Sequence, residues 1–309
     1  MKREDQIEPL LHNNGEQKQN FGSINEHRGN GCENENTKNA EKHKNMPTQT
    51  RTVSQVYGTW VRPLIAEYFG QLIFAFIHCS TVNTMKATAL SADSPIPLLP
   101  AISDGFVVAI LVITIGHISG AHVNFAVTTA VFIGGGIKLP MVPLYFIAQM
   151  LGSLTGAALA YICNGSVSFG EFGLGAGVTV GQGVLMEVVL SALLTLAVLL
   201  AAVELSSVNA AFAIGFSILI DILAGFNISG ACMNPTLSFG PAVVSGKWTN
   251  YWIYWVGPIL GAFVSGTIFR LFLGTEARLL FRPDGGDENS ETQMEKSSTT
   301  VDTVAKSSM

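Results

Sequence analysis

Apolar runs long enough to cross about 30 Å of hydrocarbon recur through the middle of this chain. They fall near residues 63–82, 101–118, 139–162, 184–203, 210–226 and 251–273 and predict six membrane-spanning helices. Two further segments, 124–133 and 234–243, are about half the length a crossing requires, and each starts at an asparagine. The frame Ile-Ser-Gly-Ala-x-x-Asn occurs twice, 110 residues apart, reading "ISGAHVN" from Ile118 and "ISGACMN" from Ile228. Aligned without gaps at that offset, 104–125 and 214–235 agree at eight of 22 positions, among them Gly105/Gly215, Phe106/Phe216, Ile110/Ile220 and Asn124/Asn234. Each copy has three spans, and an odd number turns the second copy upside down in the bilayer, so the halves are inverted repeats.

Irregular backbone at membrane depth is tolerated only where it is buried in protein or lines a water-filled cavity. Two inverted interruptions would enter from opposite faces and meet near the midplane, each opening a short helix at its asparagine. Pro235 suits the first helical position, where no N–H partner is needed and its fixed φ favours helix entry. Two half-helix N-termini, each carrying about half a positive charge, would face one another there. The geometry predicts a pore that repels cations and lets a small neutral solute bridge the amides of Asn124 and Asn234. The fold class expected is therefore an all-α membrane protein with six transmembrane helices and two re-entrant half-helices.

Charge sets the limits of this core: residues 1–62 carry 17 charged side chains, 63–275 carry 11, and 276–309 carry 11. We expect disordered cytoplasmic tails at 1–58 and 283–309, poor in aromatics, around a channel domain at 59–282 with repeats at about 59–165 and 178–275. Arg51, Arg62, Lys138, Arg270, Arg278 and Arg282 place both termini in the cytoplasm, although Lys86 and Lys247 fall outside. The plasma membrane is the expected location. Net charge of -5 arises mainly in the tails and implies no nucleic-acid partner. The N-terminus lacks the apolar core of a secretory signal. Cys32, Cys79, Cys163 and Cys232 lie far apart and suggest neither a disulfide framework nor a metal site. Asn164-Gly165-Ser166 is a glycosylation sequon in an external connector or an unused tripeptide. No nucleophile with a base, metal cluster or phosphate loop suggests an enzyme, and no cofactor is implied.

The motifs "GHISGAHVN", "ISGACMNP", "FGPAVV", "AEYFGQLIFAF", "MEVVLSALLTLAV" and "YWIYWVGPILGAFVSG" resemble the aquaporin, or major intrinsic protein, family over about residues 60–282. "FAIGFSILIDILAG", "FGPAVVSGKW" and "NYWIYWVGP" are most like its aquaporin-8 branch. The resemblance implies a homotetramer in the lipid bilayer with one pore per subunit, passing water and, in that branch, ammonia and hydrogen peroxide. It also implies that Glu67 and Glu187 support the re-entrant loops and that His122 orients backbone at the pore. Both signature tripeptides depart from the family's Asn-Pro-Ala: here they read Asn124-Phe125-Ala126 and Asn234-Pro235-Thr236. Phe125 either narrows the pore centre or turns sideways into packing.

By family spacing the outer filter falls on Asp104, Ile222, Ala231 and Leu237. Similar proteins carry an aromatic or His at the first position and Arg at the last. Leu237 removes a permanent cation with its five donors, and Asp104 adds an acid that is either ionised and cation-attracting or neutral. The expectation is a broadened filter for water and small neutral solutes, extending to glycerol, with a weakened barrier to cations; an ordinary water pore guarded by helix dipoles is the alternative. Cys232, two residues before Asn234, is a candidate mercurial site. His78 and His117 read only as satisfied helix residues. Gly152, Gly156, Gly257 and Gly261 have the spacing of close helix contacts. A secondary transporter would need carboxylates beside the two asparagines, and a closed structural or adhesion protein would show no permeability at all.

Overall fold

The computed structural model describes residues 52–88, 97–165 and 170–280. The tail segments 1–51 and 281–309, with Arg51 and Arg282, and Ser166 of the sequon lie outside the described residues. Eight principal helices follow in order: α1 (Arg62–Thr88), α2 (Leu98–Ser119), α3 (Phe125–Ile133), α4 (Met141–Asn164), α5 (Val180–Ala197), α6 (Ala210–Ser229), α7 (Pro235–Ser245) and α8 (Ile253–Ile268). All except α3 and α7 belong to the six described helical runs long and apolar enough to span a bilayer. The first run starts at Val53, ahead of the tail boundary that composition suggests at residue 58, because Thr52 and Gln55 form a reciprocal capping box. π-helical turns join that start to α1 and extend α5 and α8.

Three helix pairs hold the bundle together: α1 with α4, α5 with α8, and α2 with α6. Each crosses where glycine lets backbones touch. A Cβ on Gly156 would press into the Leu72 carbonyl of α1, and one on Gly261 would sit 2.5 Å from the Val188 carbonyl of α5. Gly105 and Gly215 face each other across the α2–α6 contact, a Cβ on either lying 2.6 or 2.5 Å from the other's carbonyl oxygen. The internal twofold axis passes through this last crossing. Phe69, Ile73, Phe106, Ile110, Phe216 and Phe263 stand exposed on the outside of the bundle, an apolar collar suited to hydrocarbon rather than water.

The re-entrant loops repeat one design. The chain leaves α2 at Gly120 and α6 at Gly230, with φ of 88° and 86°. Ala121, Val123, Ala231 and Met233 then adopt positive φ, which is costly for residues with a Cβ. The Ala121 and Ala231 amides donate to the Ser119 and Ser229 hydroxyls at 3.1 and 3.2 Å, and a single buried carboxyl per loop takes up the next two amides. Glu67 accepts from His122 N at 2.9 Å, Val123 N at 2.8 Å and Ser119 Oγ at 2.6 Å. Glu187 accepts from Cys232 N at 2.9 Å, Met233 N at 2.7 Å and Ser229 Oγ at 2.7 Å. Tyr145 and Tyr254 donate to the Ser119 and Ser229 carbonyls at 2.7 and 2.8 Å. The halves differ at Gln149, whose Nε2 gives Glu67 a further donor at 2.8 Å.

Two outcomes are expected. Glu187→Ala leaves three buried donors without an acceptor, a loss of about 3–5 kcal/mol, and thermal unfolding in detergent should fall by roughly 10 °C or more. Glu67→Ala should behave alike, and an unchanged melting temperature in both would show that the loops do not depend on these carboxyls. Gly156→Leu should abolish recovery of folded protein on size-exclusion chromatography, because the Leu72 carbonyl is backbone and cannot yield.

Candidate permeation pathway

Asn124 and Asn234 hold extended backbone and cap α3 and α7. Asn124 Oδ1 accepts from Ala126 N at 2.8 Å and Val127 N at 3.4 Å; Asn234 Oδ1 accepts from Thr236 N at 3.1 Å and Leu237 N at 3.0 Å. Each amide nitrogen then reaches across the twofold axis. Asn124 Nδ2 donates to the Met233 carbonyl and Asn234 Nδ2 to the Val123 carbonyl, both at 2.9 Å. Of the two amide hydrogens on each side chain, one is engaged in this exchange and the other is left for the pore.

Three cavities follow one another through shared lining residues. The first is walled by the loop from Gly120 to Asn124 and by Val127, Val198 and Ile214. It shares Phe74, Asn124, Leu194 and Ile218 with the second, so these four form the waist. The second, about 280 Å³ and the smallest of the three, brings Asp104, Ile222, Ala231 and Leu237 together with Cys232 and Asn234. Phe172 closes its far side and also faces the third cavity, a vestibule lined by His78, Lys86 and Glu171. Leu237 and Ala231 are 2% exposed, and where a guanidinium would reach into the filter there is only an isobutyl group.

Three wall residues escape the reading of the sequence. Phe172 lies in a glycine-rich connector with no periodicity to place it, and its ring stacks on His78 at 4.8 Å and 15°. Phe74 and His78 follow Glu67 by seven and eleven residues, helical spacing that puts all three on one face of α1. That spacing was the available signal. His78 Nδ1 lies 2.7 Å from Asp104 Oδ2, and its Nε2 lies 3.0 Å from the Gly170 carbonyl. Gly170 has φ of 70°, and a Cβ there would come within 2.9 Å of the His78 ring, so only glycine delivers this carbonyl.

The remaining candidates are placed as follows. The Phe125 ring turns away to meet Phe146 at 4.9 Å, which in turn meets Trp255 at 5.9 Å, and Phe125 lines neither the first nor the second cavity. Ala126 and Thr236 are fully buried, and the Thr236 hydroxyl bonds Asn234 Oδ1 at 2.9 Å. His122 faces the first cavity, with Nδ1 3.1 Å from Thr128 Oγ1. Cys232 is 3% exposed, and its thiol points to the Asn234 carbonyl at 3.2 Å. Asn164 ends α4 and its Nδ2 donates to the Ala160 carbonyl at 2.8 Å and Ser80 Oγ at 3.2 Å. Among the described residues no group of His, Cys, Asp and Glu could hold a metal ion.

Residues 54–269 match the Major intrinsic protein family. Aquaporin-8 of Notomys alexis is 40% identical over 238 residues, spanning 73% of this chain and 88% of that protein. Aquaporin TIP1-2 of Zea mays is 39% identical over 217 residues, spanning 68% and 85%. Among solved structures, the aquaglyceroporin from Plasmodium falciparum aligns with a TM-score of 0.59 at 22% identity, over 68% of this chain and 96% of that one, a likeness of fold. Inverted half-helices capped by reciprocally bonded asparagines, six spanning helices and these similarities have one meaning: the chain belongs to the major intrinsic protein family, the aquaporins, and is a passive channel of the membrane.

Proposed function

We propose that the pore conducts water together with ammonia and hydrogen peroxide, and that glycerol is the largest solute it admits. The observation that carries this reading is Leu237 in the filter wall beside Ala231 and Ile222. An arginine there would supply fixed donors and a permanent charge that select for water. Without it the filter makes no demand for a hydrogen-bond acceptor, and a solute with fewer bonding groups than water loses less on entry. The remaining hydrogens of Asn124 at the waist and of Asn234 in the second cavity provide the polar step for whatever passes, and the facing half-helix ends oppose cations. Phe172 occupies part of the room that the short filter side chains leave, which sets the upper size. By family resemblance the channel works as a homotetramer with both tails in the cytoplasm, most simply in the plasma membrane.

Stopped-flow permeability to water, ammonia, hydrogen peroxide and glycerol on one proteoliposome preparation tests the reading. Leu237→Arg should lower glycerol and ammonia flux by about tenfold relative to water, equivalent to about 1.4 kcal/mol of added barrier. Identical solute profiles in wild type, Leu237→Arg and Asp104→His would refute it. Mercuric chloride should block water flux, and Cys232→Ser should resist the block. Cys79 lies in a separate buried cluster and Cys163 is exposed outside the pore, so neither should substitute for it.

A further inference from the structure

We infer that His78 is a specificity-determining residue of the pore: it cancels the charge of Asp104 and so keeps a filter built around an acid closed to cations. The inference rests on reading the pore as a channel for neutral solutes. Asp104 forms part of the filter wall and His78 part of the vestibule wall, and the two side chains meet between them at 2.7 Å. Both are buried, 2% and 4% exposed, so each has little access to water beside its partner. The other ring nitrogen of His78 faces the Gly170 carbonyl at 3.0 Å, and a carbonyl can only accept.

These contacts count the protons. The Nε2 side needs one, donated to Gly170, and the line between Nδ1 and Oδ2 needs another. Whether that second proton sits on nitrogen or oxygen, the pair carries no net charge. Removing it would set a lone pair against a lone pair at one of the two contacts and strand a buried polar atom. The Phe172 ring, lying flat on the imidazole, and the left-handed Gly170 fix the ring where both bonds can form. A cation arriving from the vestibule therefore meets a neutral pair backed by Leu237, not a free carboxylate. His78 supplies what sequence position alone denies to the filter, a counter-charge from a different helix.

The full-length channel in planar bilayers gives K+ conductance, and the same preparation in liposomes gives water permeability, which reports that each variant is folded and open. Wild type should carry no K+ current above protein-free bilayers. His78→Gln should raise K+ current about tenfold or more, and adding Asp104→Asn in the same chain should return it to the wild-type level. A His78→Gln channel that passes water but no more K+ than wild type overturns the inference. So does a double variant that leaks as much as His78→Gln, since the leak would then come from distortion and not charge. His78→Asn provides the same comparison should His78→Gln fail to assemble, and a wild-type channel that carries K+ overturns the inference whatever the variants do. Solute-flux results bear on the neutral-solute reading alone, so the two fail separately.

Discussion

A peptide bond in the middle of a bilayer must find a hydrogen-bonding partner within the protein, and nearly everything in this structure follows from how two loops meet that demand. The loops are left-handed at Gly120, Ala121 and Val123 and at Gly230, Ala231 and Met233, which denies them the pairing of helix or sheet. Glu67 and Glu187 answer with one carboxyl each, placed by spanning helices that are themselves held to α4 and α8 at glycines. Because the carboxyls take the inward amides, the loop carbonyls and asparagine side chains remain to serve the pore and each other. A strained backbone at the midplane is thus a product of rigid helices around it, and the strain is what opens a path where a straight helix would fill space.

The twofold design is close in backbone and loose in chemistry. Phe74 and Leu194 occupy equivalent places in α1 and α5 and share the waist. Asp104 pairs by position with Ile214, His122 with Cys232, and Val127 with Leu237. One side therefore receives an acid with its histidine partner and an aromatic from the connector, and the other receives mostly aliphatic walls beside His122. Substitution at a wall position alters the solute's company without touching the carboxyl scaffold, so the filter can change while the fold does not.

The architecture could be read from the sequence because its causes are local or repeated. Six apolar runs, one frame used twice, and a proline after the second asparagine are visible in any window of suitable length. Residues 104, 222, 231 and 237 could be named as a set only through the family resemblance, which fixes their offsets from the two asparagines. What stayed hidden depends on the third dimension. His78 and Asp104 are 26 residues apart on different helices, and nothing in either helix's pattern says that their side chains meet. Phe172 enters the pore from a glycine-rich connector and is placed there by stacking on His78, a contact between segments far apart in sequence. The direction of the Phe125 ring was decided by Phe146 and Trp255, residues with no sequence relation to the motif.

The exchange of hydrogen bonds between Asn124 and Asn234 also bears on how the channel is made. Each asparagine's amide is satisfied by a carbonyl more than a hundred positions away, in the other repeat. A ribosome that has delivered only the first three spans to the membrane has delivered a loop whose cap still lacks its partner. The first half lacks these two bonds until the second arrives, and the two loops then complete each other. Biogenesis of this channel is in that sense a docking reaction between two tethered halves, and the conducting path comes into being only at its end.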